Sequence, residues 1–333
     1  MHAFRKIDPV TAIGSRPLET YLPQFSQSYS EMYDREVPST KAVLLASLAV
    51  LACAETAATR LWQDKLEEKL RLLDHSLNGV LGVAAIDLAT GNVIQYHGQV
   101  QFPTASSIKI AIMIRLYRDV HEGRVHFADE VTLGPKDNAG GSESPLQPQL
   151  DQGKTLSLSI HDLLENMIVY SDNSATNKLI DIVGMERVNA LVRSFGIYDT
   201  ALRRKMMDGK AAATGNENIS TPLDLATLVR MIYEGTAADS ESCHAMLAVM
   251  EKVNDGYMRG ALPPGTVIAS KPGDLDGVRC EAGLVLLEKR PFVVTVMSTW
   301  LDDGVNPVPD ATRAVYQYFF KLAHSNDWGR RLD

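Results

Sequence analysis

Ser106 and Lys109 stand three residues apart in the stretch Ser-Ser-Ile-Lys. On a helix of 3.6 residues per turn, positions i and i+3 share a face, so the lysine amine falls within reach of the serine hydroxyl. A serine alcohol is a weak nucleophile until a base takes its proton. A lysine can be that base if burial or a second ammonium lowers its pKa. Pro103, three residues earlier, suits a chain entering a helix. Ser106 is therefore predicted at a helix N-terminus, where free N–H groups and the helix dipole favour a developing oxyanion. By itself the pair carries little weight, since about one Ser-x-x-Lys match is expected by chance in a chain this long.

Two further short motifs have chemistry of the same kind. Ser171-Asp172-Asn173 falls between two helical patterns. A polar turn at such a junction can present a hydroxyl that relays a proton and an amide that binds a carbonyl. The ordinary alternative is a helix N-cap, which all three residue types favour. Lys271-Pro272-Gly273 closes an apolar strand pattern over 267–270. A lysine there can point into a cleft, and a glycine lets a substrate approach the backbone closely. The ordinary alternative is a strand ending in a turn.

The elements that must position these motifs read as follows. Residues 59–77 carry apolar side chains at helical spacing, and 80–88 and 93–97 form a hairpin around the turn 89–92. Residues 104–264 read as mostly helical, with helices over 106–122, 159–169, 175–183, 186–195 and 240–253. Another opens at Thr221-Pro222, with Thr221 as its N-cap. A Gly- and Pro-rich loop spans 134–154. Strands return at 267–270, 281–287 and 292–299, followed by a helix over 311–324. The expected fold class is α+β, an α-β sandwich: an antiparallel sheet built from both ends of the chain, flanked by helices, with an all-helical lobe inserted. The expected division is an N-terminal extension and signal peptide over 1–54 and one domain over 55–333. Within that domain the sheet lobe takes in about 58–103 plus 265–330 and the helical lobe about 104–264.

The three motifs in this order, on a helix N-terminus, a helix-to-helix turn and a sheet strand, resemble the penicillin-recognising serine enzymes, and the class A β-lactamases in particular. Phe102-Pro103 before the serine and the run Ser171 to Lys178 agree with that resemblance, which covers roughly residues 60–325. The resemblance implies a β-lactamase/transpeptidase-like fold and a hydrolase that attacks a cyclic amide through an acyl-enzyme. Ser106 would be the nucleophile, Lys109 would accept or relay its proton, and Ser171 would pass a proton to the leaving nitrogen. Asn173 would hold the substrate's amide side chain, and Lys271 would attract a substrate carboxylate. Gly273 would allow close approach, and the N–H groups of Ser106 and Asp274 would form the oxyanion hole. No metal or organic cofactor is implied.

The chain departs from the resemblance in two places. The glutamate that activates the deacylating water in class A enzymes aligns with Met206, which cannot be a base. Asp208 is the nearest carboxylate and Glu217 lies farther on. Proline stands in Lys271-Pro272-Gly273 where a hydroxyl residue is usual, leaving Arg279 as a substitute cation for the substrate carboxylate. Either Asp208 or another group activates water, or deacylation is slow. The alternatives to a β-lactamase are thus a D-alanyl peptidase or esterase on the same scaffold, or a penicillin-binding protein with little turnover.

A formal net charge of −8 argues against nucleic acid as a partner, and the expected partner is a small-molecule β-lactam or peptidoglycan-like acyl donor. No obligate protein partner is expected, and a monomer is. The three cysteines, Cys53, Cys243 and Cys280, form no CxxC pair, so neither zinc nor redox chemistry is supported. Residues 42–52 are an uncharged apolar run behind Lys41, with small residues after it. Eleven residues of helix rise about 16 Å, too little for a hydrocarbon core of roughly 30 Å. A secretory signal fits better, so the expectation is an exported protein, periplasmic or secreted. Met32 is a candidate start in place of Met1, and Cys53 a secondary candidate for lipid anchoring. In that compartment Cys243 and Cys280 could pair.

Overall fold

Strands rich in Val, Ile and Ala that are apolar on both faces can only sit in the middle of a layered protein. The first and last strands of this chain are of that kind. The computed structural model describes residues 56–332. Strand β1 (Val80–Asp87) is buried at seven of its eight positions. Helix α1 (Ala57–Ser76) precedes it, and β2 (Val93–Tyr96) returns beside it as a hairpin. At the other end of the sequence β7 (Val267–Leu275), β8 (Val278–Leu286) and β9 (Phe292–Thr299) form an antiparallel meander, and β9 pairs with β1 along its length. The sheet order is β2-β1-β9-β8-β7. The two chain ends therefore close one sheet, as the sequence pattern predicts.

Helices cover both faces. On one lie α1 and the closing helix Val308–Ala323. Here Leu66, Leu70, Val83, Val294, Val315 and Phe319 form the core, with Phe292 stacked on Phe319 at 4.3 Å between ring centroids. Full burial of a side chain such as Phe319 stabilises by about 1.5–3 kcal/mol. The helix Pro222–Tyr233 covers the other face, packed on β1, β8 and β9. Thr221 caps it, its Oγ1 accepting from the Asp224 N–H at 3.0 Å.

The helical lobe is built on α2 (Lys109–His121), whose residues 109–117 are all buried. A helix buried on every side over two turns is a core helix, even with Lys109 and Arg115 among its residues. Two short ladders also lie in this lobe and were not expected there. The two-residue strand β3 (Phe102–Pro103) pairs with β6 (Ile219–Ser220), and β4 (Glu130–Leu133) pairs with β5 (Leu156–Ser159). Two- and four-residue strands offer too little periodicity to be read beside polar loops. Between β5 and β6 come α3 (Ile160–Val169), α4 (Asn173–Val183) and α5 (Met185–Ser194).

The structure extends β7 through Lys271, Pro272 and Gly273, which sequence reading placed after the strand end. Proline removes a ladder donor and so belongs on an edge strand. Strand β7 is the edge of its sheet. Cys243 and Cys280 are both buried free thiols, so the pairing considered for them is not formed. The signal-peptide, Met32 and Cys53 expectations fall on residues outside those described. Among the described residues no helix is long and apolar enough to cross a membrane.

Candidate active site

Ser106 sits on a 3-10 turn, Ala105–Ile108, that leads directly into α2. The predicted single helix over 106–122 is thus tighter in its first turn. The chain is fixed just before it: the Thr104 N–H donates to Asn218 O at 2.9 Å and Thr104 Oγ1 to the same oxygen at 3.1 Å. Ala105 then adopts φ +45°, a left-handed conformation that costs a non-glycine residue about 1 kcal/mol. That twist turns one side chain outward. From 104 to 117 every residue is buried except Ser106.

Lys109 is fully buried directly behind it. Its Nζ donates to Ser171 O at 2.7 Å, to Ser171 Oγ at 3.0 Å and to Asn173 Oδ1 at 3.2 Å. Burial, and then the nearby Lys271 charge, hold the amine well below the usual lysine range. A pKa lowered in this way is what a lysine needs if it is to accept a proton. Among the described residues no hydrogen bond joins Lys109 to Ser106. The amine instead faces the Ser-Asp-Asn turn, and the expected direct serine–lysine contact is not present in this arrangement.

The Ser171-Asp172-Asn173 turn divides its work between capping and the site. Asp172 is the N-cap of α4, accepting from the Ala175 N–H at 2.6 Å, and Ser144 Oγ donates to its other oxygen. Ser171 is held at φ +54°, strained for a residue with a side chain, and it turns both its hydroxyl and its carbonyl to Lys109. The Asn173 N–H donates to Ser142 Oγ at 2.9 Å, while Nδ2 donates to the carbonyls of Gly140 at 3.0 Å and Gly141 at 3.2 Å. The Asn173 amide is therefore engaged by the 140–142 loop as well as by Lys109.

Gly273 lies against the nucleophile turn. A Cβ on it would fall 2.8 Å from the Ser106 nitrogen, 2.8 Å from Thr104 O and 2.7 Å from Cys280 Sγ. Only glycine lets the strand come this near. Lys271, two residues back, is fully buried, and its Nζ has no hydrogen-bond partner among the described residues. Burial pulls its pKa down to about 8, against the opposing pull of Asp255 and Glu281.

Above these groups opens a cavity of about 470 Å³, lined among others by Ser106, Ser171, Asn173, Met206, Gly273 and Asp274. Three sequence expectations require correction around it. Arg279 is not a free cation for a substrate: its Nη1 pairs with Asp274 at 3.0 Å and donates to the Leu275 and Val278 carbonyls, and Arg279 is not among the lining residues. Asp208 is exposed and caps the one-turn helix Gly209–Ala213, accepting from the Ala211 N–H at 3.0 Å; it lines a separate surface hollow rather than the Ser106 cavity. Glu217 is spent on Arg204, with contacts of 3.1 and 2.7 Å. Met206 does line the cavity, so the position aligned with the water-activating glutamate faces the site with a thioether.

Sequence reading missed Glu281, a carboxylate in the middle of apolar β8. It is fully buried, accepts from Ser270 Oγ at 2.6 Å and from the Met258 N–H at 2.9 Å, and burial pushes its pKa up to about 7. Tyr257, whose hydroxyl donates to Asp274, was missed as well. The one signal available was a lone carboxylate inside an otherwise apolar strand. Among the described residues no group of three His, Cys, Asp or Glu side chains is placed to hold a metal ion.

Comparison with known proteins bears directly on this arrangement. Residues 65–319 match the model of the family described as "Beta-lactamase enzyme family". The β-lactamase from Sphaerobacter thermophilus is 34% identical in sequence, with a TM-score of 0.71 over 77% of this chain and 97% of its own. The structure of the L158E mutant of PBP-A, an acyl-enzyme complex with penicillin G, is 28% identical, with a TM-score of 0.70 over 79% of this chain and 97% of its own. A β-lactamase of Bacteroides uniformis is 25% identical over 83% of this chain and 98% of its own length. The sheet closed by both chain ends, the buried lysine under an outward serine and the family match over most of the chain agree, and the protein belongs to the β-lactamase family of hydrolases.

Proposed function

We propose that the protein takes up β-lactams by acylation of Ser106 and releases the acyl group slowly. The observation that carries the first half is the pairing of an outward Ser106 with a buried lysine whose pKa burial holds well below the usual lysine range. In the acylation step the Ser106 hydroxyl adds to the lactam carbonyl and its proton passes to Lys109, directly or through solvent. The N–H groups of Ser106 and Asp274 receive the negative charge on the carbonyl oxygen. Ser171 Oγ, 3.0 Å from Lys109 Nζ, then hands a proton to the departing ring nitrogen and recovers one from the lysine. Lys271, buried and unpaired, attracts the substrate carboxylate electrostatically. The penicillin acyl-enzyme formed by a PBP-A mutant supports this reading.

Slow release rests on a separate observation. Met206 occupies the wall of the cavity, and Asp208 and Glu217 are directed elsewhere. Neither Asp208 nor Glu217 is therefore placed to activate the attacking water, and the position aligned with the usual base holds a thioether. On this reading the protein works as an exported monomer.

The test mixes the purified protein with a chromogenic cephalosporin and a fluorescent penicillin. Stoichiometric labelling with slow colour development, both lost in Ser106→Ala, supports the proposal. Fast steady colour refutes slow release. Absence of both label and colour refutes acylation by β-lactams and leaves the esterase or peptidase reading.

A further inference from the structure

The cavity above Ser106 carries opposite charges at its two depths. Beneath its floor lies the fully buried ammonium of Lys271, without a partner among the described residues. At its mouth stand two exposed carboxylates, on different walls. Glu143 follows Ser142, which binds the Asn173 N–H, so it belongs to the helical-lobe wall. Asp255 precedes Gly256, a residue packed so closely on Glu281 and Ser270 that it belongs to the sheet wall. Neither carboxylate makes a hydrogen bond or ion pair among the described residues; Asp255 acts at a distance on the buried Lys271 ammonium, and Glu143 faces no such cation.

The other charged groups of the lining are already neutralised. Asp274 is paired with Arg279 at 3.0 Å and accepts from the Tyr257 hydroxyl. Arg204, the one cationic residue lining the cavity, is paired with Glu217 at 2.7 Å. The lining carries three carboxylates, Glu143, Asp255 and Asp274, against the one cation Arg204, so the net charge at the mouth is negative even with Asp255 partly offset by the buried Lys271. Such a cavity attracts a cation at the outer end of a ligand and repels a second anion there.

We propose that the preferred acyl donors of this site are zwitterions, with a carboxylate near the reacting amide and an ammonium group on the acyl side chain, and that Glu143 and Asp255 select for that ammonium. The inference rests on Ser106 being the acylated residue. It adds to that reading the class of substrate the cavity favours.

The experiment compares three penicillins with the same bicyclic nucleus and a phenylacetyl side chain. The side chain carries an α-amino group in one, no substituent in the second and an α-carboxylate in the third. The second-order rate of Ser106 acylation is read by intact mass and by competition with a fluorescent penicillin. The amino compound should react fastest and the carboxylate slowest, with steps of about fivefold for each charge interaction across a solvated gap of about 4 Å. Glu143→Gln and Asp255→Asn should each narrow the ratio of amino to carboxylate rates, and the double variant should narrow it further. Added salt should narrow it in the parent protein as well. Equal rates for all three, with Ser106 acylated, would overturn the charge preference and leave the acylation reading standing. A ratio unmoved in the double variant would also overturn it. No acylation by any of the three would overturn both readings.

Discussion

Replacing Met206 with glutamate should convert a slow acyl-enzyme into one that turns over. Met206 is only 7% exposed, yet it lines the cavity shared by Ser106 and Ser171. Its backbone is bracketed by one side chain, with the Met206 N–H donating to Asn177 Oδ1 at 2.7 Å and Asn177 Nδ2 donating back to Met206 O at 3.1 Å. Neither bond involves the Met206 side chain, so Met206→Glu leaves them intact. Methionine and glutamate reach a similar distance from the backbone, which brings the new carboxylate to the cavity wall. A positioned general base contributes about 10²- to 10⁴-fold, so the acyl-enzyme lifetime should fall by at least about a hundredfold. The stability cost of placing a carboxylate at so buried a position is at least about 1–3 kcal/mol. The assay forms the acyl-enzyme with a penicillin, removes the excess and follows loss of the adduct by intact mass, alongside cephalosporin turnover. A folded Met206→Glu protein that acylates at the parent rate but keeps the parent lifetime would refute the reasoning.

Lys109→Arg should lower the acylation rate by about 10²- to 10⁴-fold, because a guanidinium cannot give up its proton near neutral pH; stopped-flow labelling with fluorescent penicillin checks it. Gly273→Ala must push β7 away from the Ser106 nitrogen and Thr104 O, and a misplacement of about 1 Å at a reacting centre costs on the order of a hundredfold in acylation rate. Lys271, pulled down to about 8, should lose its charge as pH rises through that value, so acylation of carboxylate-bearing substrates should fall above about pH 8; a flat rate profile from pH 7 to 9 would contradict it. The same shift fixes a sign for stability. Between about 8 and the usual 10.5 the unfolded chain holds a proton that the folded one does not, so Lys271 makes stability rise with pH across that window, and chemical denaturation at several pH values measures it. Asp119→Ala should destabilise by about 3 kcal/mol in urea, since it removes a buried carboxylate that accepts from Arg115 at 2.6 Å, from Arg124 at 3.0 Å and from Arg187, leaving Arg115 buried with less compensation.

Much of the fold was legible because it rests on periodicity. The apolar runs at 80–88 and 292–299 and the helical stripe at 59–77 required a sheet closed from both ends under helices, and the structure has it. Where the reading slipped, local signals pointed the wrong way. Pro272 reads as a strand stop, but on an edge strand the missing N–H is not needed by a neighbour. The ladder Glu130–Leu133 with Leu156–Ser159 joins segments more than twenty residues apart, and neither is long enough to announce itself. Asp208 looked like a base because it was near in sequence, yet its carboxylate caps the Gly209–Ala213 turn outside the cavity. Arg279 looked like a free cation because its partner Asp274 is opposite it on the ladder rather than beside it in the chain.

The sequence by itself determined which groups are present for chemistry: Ser106 with Lys109 one turn on, the Ser171-Asp172-Asn173 turn, Lys271 and Gly273 on a strand, and a methionine where a base would act. These follow from residue type and short spacing, which backbone geometry converts into local proximity. Only the tertiary structure decided what state those groups are in. Burial lowers the pKa of Lys109 and leaves Lys271 without a hydrogen-bond partner, because desolvation depends on everything packed around a charge and not on its neighbours in the chain. The same folding brings Glu143 and Asp255, 112 residues apart in sequence, to the mouth of one cavity.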